Sequence, residues 1–219
     1  MIVDGTAAQF VERSLPDHDP IQAEMAAHAA TEGFPIIGRE AGAFLATVAA
    51  AREARTVFEF GSGFGYSATW FYRGMPAAGE VILTDVDSDE LERADSYLRR
   101  AGLRERSHLE VGDSREIVGQ YDGPFDVVLI DYLKRDYPEA FDVVAEKVAP
   151  GGVVIADNVM DGPVTHEELL EADCRDGEYE SETIAGLLGY LDLVQETAGW
   201  HTSVLPVGNG LSVSVRIGE

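Results

Sequence analysis

From Thr56 to Asn158 the chain alternates short, almost wholly apolar runs with stretches of helical pattern, and few architectures accept that alternation. The runs are TVFEF, VILTD, HLEV, FDVVLID and GGVVIADN. A strand with one wet face alternates apolar and polar residues; strands apolar on both faces belong to a parallel sheet covered by helices on each side. Helices are expected over about 20–31, 39–53, 88–101, 136–148 and 182–197. Asp19-Pro20 supplies a capping carboxylate and a proline at the first helical position, and Gly33 with Pro35 ends that helix. Ser88 is the cap expected for the helix over 88–101. Residues 1–20 are weakly patterned, and the acidic stretch 162–180 reads as a loop or short helix. TSVLPV and LSVSVRI flank Gly208-Asn209-Gly210, a hairpin signal that adds an antiparallel pair at the sheet edge. The expected class is therefore α/β: a doubly wound, mostly parallel sheet with an antiparallel C-terminal hairpin. One domain spans 1–219, with N-terminal helices over 1–54 and the core over 55–219.

In open parallel sheets, ligands bind beyond the carboxyl ends of the strands, so the strand ends carry the chemistry. The first strand runs into Glu59-Phe60-Gly61-Ser62-Gly63-Phe64-Gly65-Tyr66-Ser67. Glycines allow a tight turn into a helix and close approach of the backbone to a ligand. The spacing is G-x-G-x-G, and Tyr66 stands where a dinucleotide-binding loop wants a glycine. Glu59, two residues before the loop, suits a ligand with an ammonium group and little phosphate. Asp85 ends the second strand, where a carboxylate can accept both hydroxyls of a ribose; in an acidic stretch with Asp87 and Asp89 it could equally be a solvated turn. Gly112-Asp113-Ser114 ends the third strand and could hydrogen-bond an adenine edge. Together these describe a pocket for an adenosine with a positively charged amino-acid tail, which is S-adenosylmethionine.

The fourth strand ends in Asp131-Tyr132-Leu133-Lys134 and the fifth in Asp157-Asn158. The 26 residues between the two aspartates fit one helical crossover, so both should project from neighbouring strands at one rim. Two carboxylates and an amide are oxygen donors suited to a hard octahedral ion such as Mg²⁺, with Mn²⁺ or Ca²⁺ as alternatives. No histidine or cysteine lies near them in sequence, which argues against zinc. The same acids could instead cap the segments that follow. Lys134 sharpens the metal reading: a lysine near a divalent cation has its pKa lowered by like-charge repulsion and can act as a base. The plainer alternative is a surface lysine. Tyr137 falls one turn further on, and Lys147, near a helix end, reads as structural.

Lys134 stands out because Lys147 is the only other lysine. Aspartate and glutamate number 40 against 16 lysines and arginines, a formal net charge of −24. That field repels phosphate backbones and excludes nucleic acid as a natural partner. An acidic, lysine-poor surface suits concentrated salt, where screening removes the self-repulsion. The melting temperature is therefore expected to keep rising as KCl passes roughly 0.2 M, where screening is still incomplete; a curve peaking below that concentration excludes halophily. Cys174 is the single cysteine, so no internal disulfide or thiolate metal cluster can form. The chain has no run of eighteen apolar residues and its start lacks the features of a secretory signal, which reads as cytoplasmic.

At these residues the chain resembles the cation-dependent O-methyltransferases that include catechol and caffeoyl-CoA O-methyltransferases. The likeness runs from about Asp19 to Ile217. It is carried by FPIIGREAGAFL, EFGSGFGYSA, DYLKRDY for the family's D-x-x-K-x-x-Y, GGVVIADNV for its GG-x-hydrophobic-DN strand, and LPVGNG for its closing L-P-x-G-x-G. The resemblance implies a Rossmann-like, class I S-adenosylmethionine-dependent fold and a homodimer. It implies that Asp131, Asp157 and Asn158 hold the metal and that Lys134 is the general base. It implies that Glu59 and Ser67 hold the methionine moiety, with Gly61, Gly63 and Gly65 forming the loop. Asp85 would hold the ribose, Asp113 with Ser114 the adenine, and Asp131 with Tyr132 would lie against the cofactor. Leu133 stands where catechol-specific members carry an aromatic wall, and residues 161–182 depart from the family's usual loop. Both departures bear on the acceptor, expected to be a small vicinal diol on an aromatic ring. Other small-molecule acceptors, a nicotinamide oxidoreductase and a non-catalytic binding module are the competing readings; Tyr66 disfavours the second and the paired DxxK and DN segments disfavour the third. The histidines 18, 28, 108, 166 and 201 fit no ligand spacing. Trp70 is expected in the core beneath the glycine loop, Trp200 in the core or the acceptor pocket.

Overall fold

The computed structural model describes residues 5–173, 179 and 181–217. Five strands follow the apolar runs: β1 (Thr56–Phe60), β2 (Glu80–Asp85), β3 (Ser107–Val111), β4 (Phe125–Ile130) and β5 (Val148–Ala156). They pair in parallel, and β6 (Trp200–Leu205) and β7 (Leu211–Arg216) complete the sheet in the order β3-β2-β1-β4-β5-β7-β6. β7 runs antiparallel to both β5 and β6, so the hairpin closes one edge as its turn signal implied. The order reverses between β1 and β4, and side chains leaving those two strand tips face a common crevice.

Nine α-helices occur among the described residues: α1 (Gly5–Ser14), α2 (Pro20–Glu32), α3 (Gly38–Ala51), α4 (Tyr66–Gly74), α5 (Ser88–Arg100), α6 (Ser114–Ile117), α7 (Tyr137–Val144), α8 (His166–Asp173) and α9 (Glu182–Glu196). One face of the sheet, with Val57, Leu83, Val127 and Ile155, packs against α2 to α5. The other, with Phe58, Phe60, Val128 and Val154, packs against α7 and α9. Both faces are therefore dry, which is why the strands read as continuous apolar runs. α3 and α4 pack so closely that a Cβ on Gly74 would lie 1.9 Å from the Ala46 carbonyl oxygen. A Cβ on Gly42 would likewise clash with the Trp70 indole, which packs fully buried against α3.

The structure corrects several expected bounds. α2 is capped as the sequence implied: Asp19 Oδ1 accepts from the Ile21 and Gln22 amides at 2.8 Å, and Gln22 Oε1 accepts in return from the Asp19 amide at 3.2 Å. α5, however, is capped by Asp87, which accepts from the Asp89 amide, and Ser88 is its first residue. The helix expected over 136–148 is α7 flanked by 3₁₀ turns at Lys134–Asp136 and Ala145–Lys147. A helix, α1, forms in the weakly patterned start; it buries Ala8 and is held by Arg39, which donates to the Glu12 carbonyl and carboxylate. Within the acidic stretch, α8 is the short helix; Cys174 lies outside the described residues. No helix among the described residues is long and apolar enough to cross a membrane.

Candidate active site

A cleft of about 550 Å³ opens at the tips of β1 and β4. Its lining includes Gly61, Gly63, Ser67, Asp85, Asp131, Tyr132, Lys134, Asp157 and Asn158, so nine residues chosen from the sequence converge on one cavity. The glycine loop explains its own composition. Gly61 has φ 77°, and a Cβ there would lie 2.5 Å from the Asp131 carbonyl oxygen and 2.6 Å from Tyr132 Cβ. Only glycine lets the two strand tips approach this closely. The Asp85 carboxylate accepts from the Gly63 amide at 2.9 Å and from the Asp87 amide at 3.0 Å, tying the second strand end to the loop.

Glu59 sits on the face of β1 that packs against α2 to α5, paired across the sheet with Leu83 and Leu129, and is fully buried. Its carboxylate has no cationic partner, and the Ser67 hydroxyl is the donor directed at it. Desolvation raises its pKa to about 8; the Ser67 hydroxyl opposes the shift in part and the Asp131 charge adds to it. A buried carboxylate without a cationic partner invites one. Folded chains thus keep a proton that unfolded chains release above the ordinary value of 4.5. Stability from this group is present below that value and lost as pH rises through about 8. The unliganded protein is therefore expected to melt at a lower temperature near pH 8 than near pH 5, and Glu59→Gln should flatten that decline.

Asp131 and Asp157 follow β4 and β5 directly, with Asp131 N bonded to the Phe60 carbonyl and Asp157 N to the Ile130 carbonyl. Asp157 is buried and its Oδ1 has no partner. Burial lifts its pKa well above the usual carboxylate range, and the nearby Asp131 charge pushes in the same direction. Asn158, beside it, is held at φ 57°, a left-handed conformation that asparagine tolerates. Among the described residues no three His, Cys, Asp or Glu side chains gather as a metal site. Two carboxylates, one of them orphaned, and an amide at one rim nevertheless fit a hard cation, which needs oxygen donors and would compensate the buried charge. Lys134 is buried; its Nζ donates to Asp131 Oδ1 at 3.1 Å and to the Tyr137 hydroxyl at 2.6 Å.

Other expected residues stand apart from the cleft lining. Gly65 caps α4 behind it at φ 81°. The Asp113 carboxylate is turned to Arg115, with Oδ2 2.7 Å from Nη2, and caps α6. The Ser114 hydroxyl lies 2.6 Å from that of Thr84, which donates to the Glu59 carbonyl. Trp200 packs on Phe141 with ring centroids 5.0 Å apart, away from the cleft.

The structure also adds residues that sequence reasoning passed over. Phe34, Pro35, Ile36 and Ile37, between α2 and α3, form an apolar wall, and Pro163 and Asn209 reach in from two loops. Asn209 belongs to the hairpin turn, whose backbone oxygens accept from the Val159, Met160 and Asp161 amides and so fix the segment after Asn158. The LPVGNG motif was the available signal for that turn. His18, given no role above, lies 2.7 Å from the Tyr66 hydroxyl and buttresses the cleft from behind.

A family model described as O-methyltransferase matches residues 15–217. The chain belongs to the O-methyltransferase family. Among curated members of the family, a catechol O-methyltransferase of Mycobacterium tuberculosis is 32% identical over 167 residues, covering 75% of this chain and 76% of that protein. A catechol O-methyltransferase of Niastella koreensis is 33% identical over 135 residues; the match covers 59% of this chain and spans 61% of that protein's length. The fold of this family member matches the O-methyltransferase TomG of Streptomyces achromogenes, solved with S-adenosylmethionine, at a TM-score of 0.83 and 24% identity, covering 96% and 95% of the two chains. It matches a Bacillus cereus O-methyltransferase solved with S-adenosylhomocysteine at 0.82 and 24%, covering 96% and 97%.

Proposed function

We propose that this O-methyltransferase transfers the methyl group of S-adenosylmethionine to one hydroxyl of a catechol-like acceptor, assisted by a divalent cation. One observation carries the reading: a buried aspartate with an unpartnered oxygen, a second acid, an amide and a buried lysine line one cleft, and a buried glutamate without a cationic partner lies behind Ser67 of its wall. The ligands in the two matching folds and the names of the two curated relatives support it.

Glu59 receives the ammonium of the methionine moiety, beside the Ser67 hydroxyl. Asp85, already fixed by the Gly63 amide, has lone pairs left for the ribose hydroxyls. Tyr132 forms the floor against the nucleoside, and Asp131, Asp157 and Asn158 hold the cation. When bound, the cation, Mg²⁺ in the first instance, lowers the pKa of a vicinal hydroxyl and the sulfonium supplies an electrophilic methyl. Lys134 takes the acceptor's proton, and the apolar wall of Phe34 to Ile37 holds the ring and excludes water. Placing both reactants within reactive distance is the largest contribution the cleft can make.

The test is a panel of catechol, a phenol with one hydroxyl, an amine and a carboxylic acid, each assayed with and without EDTA. Methylation of catechol alone, abolished by EDTA and restored by Mg²⁺, is the expected result. EDTA-insensitive methylation of the amine or acid defeats the metal-assisted reading.

A further inference from the structure

Tyr137 is fully buried, and the reaction proposed above does not use it. Its phenol nevertheless lies between two groups that the reaction does use. The oxygen accepts from Lys134 Nζ at 2.6 Å and donates to the Asp157 carbonyl at 3.0 Å. Its ring stacks on Tyr132 with centroids 6.0 Å apart and planes 17° from parallel, and meets Tyr190 edge-on at 5.6 Å.

A phenol has one proton, and here it is committed to a carbonyl. The oxygen therefore faces Lys134 as an acceptor only, and Asp131 Oδ1, 3.1 Å from the same nitrogen, also only accepts. In the form that can accept a proton, an amine has four tetrahedral positions: one bond to Cε, two N–H bonds and one lone pair. Two fixed acceptors claim both N–H bonds, which leaves the lone pair a single direction. Lys134 lines the cleft, and that remaining position is the one available to a ligand.

We propose that Tyr137 is a positioning residue which, with Asp131, aims the Lys134 lone pair into the cleft and ties the base to the strand tip bearing Asp157. The inference rests on Lys134 being the base of the function proposed above. In the step it serves, the acceptor O–H bond breaks and its proton joins the lone pair, giving an ammonium. The electron pair stays on the acceptor oxygen and forms the new bond to the methyl carbon, as the carbon–sulfur pair leaves on sulfur. Without the phenol oxygen, one N–H loses its acceptor and the lone pair gains a second orientation.

Tyr137→Phe keeps the ring contacts with Tyr132, Tyr190 and the Lys134 stem while removing the oxygen. Its kcat on catechol is expected to fall about 10- to 100-fold, the range for loss of a supporting hydrogen bond at such sites. The KM for catechol and the affinity for S-adenosylhomocysteine should stay within about twofold. In a Lys134→Met background the same substitution should change residual turnover less than twofold, because no lone pair remains to aim. An equal loss in both backgrounds, or a loss carried by KM, overturns the proposal. A second measurement needs no variant at the tyrosine. The chain has two lysines, so ¹⁵N-lysine labelling gives two side-chain signals that Lys147→Arg assigns. A slowly exchanging Lys134 signal is expected, and a freely exchanging one overturns the proposal. Wild-type protein inactive on catechol, or Lys134→Met fully active on it, removes the proposed function and this inference with it.

Discussion

Lys134→Met is expected to lower kcat on catechol by about 10²- to 10⁴-fold, the usual contribution of a positioned general base, with affinity for S-adenosylhomocysteine changed less than about twofold. Methionine keeps the length of the apolar stem and removes the amine. A purely structural reading of Lys134 is available, since its Nζ bridges Asp131 and Tyr137. The two readings differ in where the loss appears. Breaking a buried ion pair costs about 3–5 kcal/mol when the partner charge is stranded. The Asp131 side chain retains 25% of its exposure, so water compensates part of that charge. A structural lysine would therefore show a lowered melting temperature with turnover per folded molecule nearly intact. A base shows the reverse. Steady-state kinetics, calorimetric titration of S-adenosylhomocysteine and a melting curve on one preparation separate them.

How far the sequence revealed this site depended on where each residue's role is decided. Asp131, Asp157, Asn158 and Lys134 follow apolar strands directly, and the rule that ligands gather at carboxyl ends of parallel strands assigns them to one rim from order alone. Glu59 was legible for the same reason, although its complete burial between Leu83 and Leu129 needed the register of three strands. Tyr137 was legible only as the last residue of D-x-x-K-x-x-Y, because a tyrosine at helical spacing after Lys134 reads as packing until its hydroxyl is seen to bridge to the Asp157 carbonyl. Asn209 lies 51 residues beyond Asn158 and reaches the cleft only because β7 returns antiparallel beside β5. Asp113 sits at the expected strand end, yet its carboxylate engages Arg115, a local competition that strand-end logic does not weigh. α1 escaped notice because it is short and buries only Ala8 while leaving Phe10 exposed; one anchor is an ion pair between Glu12 and Arg39, 27 residues on. Strands that are dry on both faces announce themselves, whereas a short helix tied down through polar side chains does not.

Asp157→Asn is expected to abolish the response to Mg²⁺ without destabilising the unliganded protein. The carboxylate is buried at 1% exposure, with Oδ1 unpartnered and a second acid nearby. Burying such a charge costs several kcal/mol unless something compensates it. The folded chain can retain a proton, as the raised pKa reflects, or take up a cation. Asparagine keeps the shape and removes the charge, so the unliganded variant should melt no lower than wild type near neutral pH. The gain from a cation disappears with the charge. At a hundredfold excess over its Kd, a ligand stabilises the fold by about 2.7 kcal/mol, worth roughly 5–10 °C for a domain of this size. That rise with Mg²⁺ is expected in wild type and absent in the variant, with metal-dependent turnover reduced more than about 100-fold, beyond the loss typical of an outer-shell change. If Asp157 merely capped the segment that follows β5, the variant would melt lower and still respond to Mg²⁺. A variant as stable as wild type that keeps its full Mg²⁺ shift would move the cation to a different set of ligands.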